Sequence, residues 1–150
     1  MSSKPMFSKI VIVRVRGTRK MPPKIKFTLD LLNLNKPNHC VVVEDNPAIM
    51  GMVNIIRDYV AFGNADENLI FNLLMKRAEK GSILFKKLKK KEEIMHIAKE
   101  ILNGKKITEF VDPVFRLHPP RKGYKNIKKA YPEGDLGKRD DIASLVKRMM

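Results

Sequence analysis

The sequence predicts an α+β protein. A small βαβαβ core occupies residues 1–63, with a three-stranded sheet carrying both helices on one face, and an extension of helices and extended chain follows over residues 64–150. Three observations lead there. Short β-branched runs alternate with apolar residues at helical spacing as far as Gly63. The connections are short, and each helix has one apolar face that a sheet can cover. Beyond Gly63 the spacing is helical, then gives way to a basic, proline-bearing stretch.

Residues 1–8 are polar and carry Pro5, so order is expected to begin after them. Lys9 to Arg16 alternates as a strand, with Ile10 and Ile12 on one side and Val11, Val13 and Val15 on the other. An apolar pattern on both sides predicts a central or well-covered strand, whose last residues turn Arg14 and Arg16 outwards to solvent or a ligand. Gly17 to Pro23 is a loop, with none of the spacing of a nucleotide-binding P-loop. Pro23 suits the start of a helix. Its core face is expected from Ile25, Leu29 and Leu32, widened by Phe27, Leu31 and Leu34, and Asn33, Asn35 and Pro37 end it.

His39 to Val43 is the second strand, and Glu44-Asp45-Asn46-Pro47 turns it into the second helix. Pro47 fits the first helical turn, and Asn46 or Asp45 can accept the orphan backbone bonds there. Ile49, Met52, Val53 and Ile56 recur at helical spacing, Tyr59 to Phe62 is extended again, and Gly63 closes the unit. Asp66 is placed to cap a helix whose face is Ile70, Leu73 and Leu74, ending near Gly81. Ser82 to Phe85 then links to KKLKKKEE. Ile94, Ala98, Ile101 and Leu102 make another amphipathic face that stops at Gly104.

From Ile107 to Leu117 the pattern is extended, broken by Pro113, and RLHPPRKGYKNIKKAYP follows. Pro119 and Pro120 stiffen that backbone into a rail from which cations project, interleaved with Tyr124 and Tyr131. Glu133 to Gly137 reads as a hinge, and Asp140 or Asp141 caps a last helix with Ile142, Leu145 and Val146.

Charge decides the function classes worth weighing. There are 31 basic residues against 16 acidic, a formal +15, and such an excess repels itself unless a polyanion neutralises it. Placement sharpens this. Residues 1–29 hold eight Lys and Arg and no acid, and residues 114–132 hold six and no acid. Residues 64–113 hold eleven basic and eight acidic, close to an ordinary solvated surface. Two unbalanced blocks therefore flank a balanced middle, and nucleic acid is the expected partner.

Other classes fare worse. The lone Cys40 excludes an internal disulfide and a cysteine-based zinc site, and fits a reducing, cytosolic compartment. No apolar run approaches the ~20 residues of a membrane span, and the N-terminus lacks the apolar stretch of a signal peptide. The basic run before Lys91 resembles a membrane-surface helix, but Glu92, Glu93 and Glu100 interrupt its charge. His39, His96 and His118 fall on separate elements, and His39 and Cys40, adjacent on a strand, point to opposite faces. No catalytic set, metal cage, cofactor or small-molecule substrate is expected. The aromatic signature of an RRM and the GXXG loop of a KH domain are both missing from the sequence.

The run NHCVVVEDNPAIMGM, preceded by RVRGT and a Leu-rich helix and followed by DYVAFG, resembles the archaeal form of the large-subunit ribosomal protein family numbered thirty. FRLHPPRKGYK and GDLGKRDDIASLVKRMM are similar to that family's C-terminal extension. The resemblance implies a three-stranded antiparallel sheet covered by two helices and a structural role in the large ribosomal subunit. The implied partners are large-subunit ribosomal RNA, near the 5S RNA, and neighbouring ribosomal proteins. The expected RNA contacts are Arg16, Arg19, Lys20, Lys24 and Lys26 in the first block, and His118, Arg121, Lys122, Tyr124, Lys125, Lys128 and Lys129 in the second. Arg and Tyr can stack on exposed bases, and Lys serves phosphate as a point charge. Two other classes remain: a free RNA chaperone or regulatory RNA-binding protein would use the same blocks without joining a particle, and an enzyme would need a pocket of convergent polar residues.

Overall fold

A computed structural model describes residues 9–17, 21–44, 46–76, 79–80, 83–84, 90–103, 114–121, 136–138 and 142–149. Five longer segments build the N-terminal part: β1 (Lys9–Arg14), α1 (Pro23–Leu31), β2 (His39–Glu44), α2 (Pro47–Ile56) and β3 (Val60–Asn64). Then come α3 (Glu67–Lys76), the two-residue strands β4 (Glu79–Lys80) and β5 (Ile83–Leu84), and α4 (Lys91–Leu102). The two-residue strands β6 (Phe115–Arg116) and β7 (Gly137–Lys138) and the helix α5 (Ile142–Met149) complete the chain.

β1 is the centre of the main sheet, in the order β6-β2-β1-β3-β7. It pairs antiparallel with β2, Ile12 opposite Val41, and antiparallel with β3, Ile12 opposite Phe62. The three-stranded antiparallel core is as expected, and the extension adds an edge strand on either side. β6 is antiparallel to β2, and β7 runs parallel to β3. Gly137 thus lies in an edge strand, where the sequence suggests the end of a hinge. β4 and β5 pair with each other in a separate hairpin. They replace the expected continuation of the helix towards Gly81, since α3 stops at Lys76.

Alternation along β1 feeds two cores. Ile10 and Ile12 meet Leu29, Leu32, Leu34, Val53 and Ile56 under α1 and α2. Val11, Val13 and Val15 meet Leu69, Leu73, Ile94, Ile101, Leu145 and Val146 from α3, α4 and α5. Helix pair, sheet and helix triplet therefore form three layers. Each fully buried aliphatic side chain contributes about 1.5–3 kcal/mol, which is why so short a strand can organise both sides.

Local chemistry fixes the helix ends. Asn46 Oδ1 accepts from the Ile49 amide at 2.8 Å with Pro47 in the first turn, and Asp66 Oδ1 accepts from the Leu69 amide at 2.7 Å. α1 ends when Asn33 adopts φ 63°, which lets the Leu34 amide reach the Leu29 carbonyl at 2.9 Å and the Asn33 amide reach that of Asp30 at 3.1 Å.

Two expectations are corrected by packing. Phe27 and Leu31 do not widen the core face of α1; both are exposed, because the arc over the sheet is centred on Thr28, Leu29 and Leu32. Arg14 does not turn outwards. It is 1% exposed, donating from Nη1 to the Leu34 carbonyl at 2.8 Å and from Nε to the Arg16 carbonyl at 3.0 Å. A guanidinium so placed braces the end of α1 against the central strand.

Candidate nucleic-acid interface

Strand direction alone gathers the cations. β1 ends at Arg14, β2 begins at His39, and β6, antiparallel to β2, ends at Arg116; all three termini lie at one end of the sheet. The Asn38 amide donates to the Arg14 carbonyl at 2.8 Å, and the Leu117 amide to the Asn38 carbonyl at 3.2 Å. The Arg14–Arg16 part of the first block and the Arg116 start of the second therefore leave the sheet side by side. Gly17 lies against Pro37 in the loop after α1, whose Lys36 is exposed.

Arg16 is half-buried, its guanidinium 4.7 Å from the centroid of the Tyr59 ring, with Nη1 3.5 Å from the Asp58 carbonyl. The stacked ring fixes the plane of the guanidinium and leaves its charge available. Lys24 and Lys26 are exposed in the first turn of α1, where there is no acid and Pro22 supplies no side-chain cap. His118 and Arg121 are exposed on a backbone that is tied down. Their amides donate to the Met149 and Arg148 carbonyls at 3.0 and 2.9 Å, so the rail begins by satisfying the C-terminus of α5. Pro120 is buried there. Arg19, Lys20, Lys122, Tyr124, Lys125, Lys128 and Lys129 lie outside the described residues.

Three further basic residues belong to this end: Lys36 and His39, which lie outside both blocks, and Arg116 at the start of the second. Lys36, His39 and Arg116 come together only through pairing, His39 opposite Arg116 across β2 and β6. Burial lowers the proton affinity of His39, and the charges of Arg116, Lys36 and Arg14 push it the same way. The imidazole is thus held neutral among cations. Burial likewise lowers the pKa of Arg14, with Asp30 acting in the opposite direction. Its Nη2 and His39 Nδ1 are both buried without a hydrogen-bond partner.

Cys40 is buried beneath the other face, and its thiol is pushed up by desolvation. His96 pairs with Glu100 at 3.0 Å along α4. Among the described residues no cluster of His, Cys, Asp and Glu could hold a metal, and no helix is long and apolar enough to cross a membrane.

A small basic α+β scaffold that gathers cations at one end of its sheet has the charge distribution that suits a polyanion. The profile of the family described as ribosomal protein L30p/L7e matches residues 10–60, from β1 to the start of β3. The chain is 42% identical to a protein of Methanocella arvoryzae, over 92% of this chain and 97% of that relative. It is 43% identical to one of Archaeoglobus fulgidus, over 84% and 89%, and 37% identical to one of Methanothrix thermoacetophila, over 92% and 97%. All three carry the name large ribosomal subunit protein uL30. The chain belongs to the ribosomal protein L30p/L7e family, a structural and non-enzymatic one.

Proposed function

We propose that this chain is a structural constituent of the large ribosomal subunit in the cytoplasm, binding and stabilising ribosomal RNA through two basic segments. The observation that carries the reading is the similarity, over most of its length, to relatives named as large-subunit proteins. The acid-free blocks supply the physical means. Residues 1–63 form the RNA-binding unit, with β1, α1, β2, α2 and β3 as its core, and residues 64–150 form the extension, whose α3, α4 and α5 cover the second face of the sheet and whose residues 114–132 carry the second segment. The first segment contributes Arg16, Arg19, Lys20, Lys24 and Lys26. The second contributes His118, Arg121, Lys122, Tyr124, Lys125, Lys128 and Lys129.

The mechanism is electrostatic and geometric. Each phosphate neutralised releases condensed counterions, so about 6–10 contacts make affinity fall by roughly 10³–10⁵ between low and moderate salt. Position near the 5S RNA and contact with neighbouring ribosomal proteins complete the proposal. Charge reversal at Arg121 and Lys122 tests it. The Arg121 backbone, not its exposed side chain, makes the hydrogen bonds to α5, so RNA affinity should fall while the melting temperature stays within about 2 °C, the scale of a surface substitution. Unchanged affinity would remove the second segment from the interface.

A further inference from the structure

The outer face of α1 carries an apolar surface that neither core uses. Phe27 is 64% exposed and Leu31 57%, the highest among the large apolar side chains of the described residues. They are four residues apart and share one side of the helix. Lys24, three residues before Phe27, lies on that side, and Lys26 borders it; both are exposed. Asp30, the only acid in α1, is exposed, three residues after Phe27 and four after Lys26, so it borders this face on the Lys26 side and leaves Lys24 as the cation clear of it; its charge also raises the Arg14 pKa.

Charge chooses among occupants. A second copy meeting this face about a two-fold axis would set Lys24 and Lys26 against themselves. An aromatic ring among lysines, in a block of 29 residues with no acid, instead matches a nucleotide, whose base has a π-face to stack and whose phosphate needs a cation. We propose that the outer face of α1 receives an unpaired nucleotide of RNA, its base on Phe27 and Leu31 and its phosphate beside Lys24 and Lys26. The inference rests on the RNA-binding reading above and adds to it an uncharged contact inside the first basic block.

The test is equilibrium binding of the full chain to a large-subunit ribosomal RNA transcript across a series of salt concentrations. Phe27→Ala should weaken binding about 5- to 150-fold, the range for loss of one base stack, with the slope of log K against log salt unchanged. Phe27→Tyr should restore it. Lys24→Ala with Lys26→Ala should instead flatten the slope by about 0.7–0.9 per lysine. Because Phe27 is exposed, its variants should melt like the wild type, which a thermal scan checks. Wild-type affinity in Phe27→Ala, beside a steep wild-type slope, would overturn the nucleotide site and leave the RNA-binding reading standing. No salt-dependent RNA binding by the wild type would overturn both. Phe27→Ala losing only incorporation into intact subunits, or only self-association, would give the face to a neighbouring protein or a second copy, and would overturn the proposal too.

Discussion

Arg14→Ala distinguishes a brace inside the fold from a contact on its surface. The guanidinium is 1% exposed and holds the Leu34 and Arg16 carbonyls at 2.8 and 3.0 Å. Truncating a long buried side chain costs about 2–5 kcal/mol, and the Leu34 carbonyl, whose bond is buried where that to Arg16 is only partly so, costs about 1–3 kcal/mol more when stranded. In the other direction, removing a desolvated charge returns several kcal/mol; that this charge is desolvated is reflected in the lowered pKa of Arg14. The net loss is about 3 kcal/mol, and at about 2–4 °C per kcal/mol for a chain of this size the melting temperature should fall by roughly 6–12 °C. Arg14→Met, which keeps most of the stem, should recover part of that. Thermal melting by circular dichroism measures the loss, and RNA affinity of the folded fraction at fixed salt should change less than about threefold. A melting temperature within about 1 °C of wild type, with RNA binding reduced tenfold, would refute the brace and restore Arg14 to the surface.

Two other expectations follow from the same end of the sheet. His39, ordinarily titrating near 6.5, has its folded pKa lowered by burial and then by Arg116, Lys36 and Arg14. Between that ordinary value and the lower folded one the unfolded chain binds more protons, so stability is full above about pH 6.5 and is lost as pH falls through the window. His39→Gln should flatten the melting temperature between about pH 7 and 5.5, and an equally steep variant profile would disprove the assignment. Cys40, fully buried with its thiol pushed up by desolvation, should resist a disulfide reagent in native buffer and react at once in denaturant; fast native labelling would mean that β2 opens.

How much was legible follows the range of the forces. The two-sided pattern of β1, the Asn46 and Asp66 caps and the Ile94, Ala98 and Ile101 face of α4 depend on residues within a turn or a strand, and the sequence displays them. Helical spacing groups Phe27 and Leu31 with the core residues of α1 without saying which arc lies over the sheet. The inward turn of Arg14 leaves no local mark, because its acceptor, the Leu34 carbonyl, arrives from across the fold. β6 and β7 are two residues each, too short for any alternation to register. The basic blocks are visible as composition, but their convergence at one end, through His39 opposite Arg116, exists only once strands pair.

The central claim is that this chain is held in the large ribosomal subunit by RNA. Sedimentation of a tagged copy through a sucrose gradient at low salt, with and without nuclease and after a high-salt wash, tests it directly. Migration with the large subunit, retention through a moderate wash and release by nuclease are expected. A chain that stayed at the top of the gradient under every condition would contradict it.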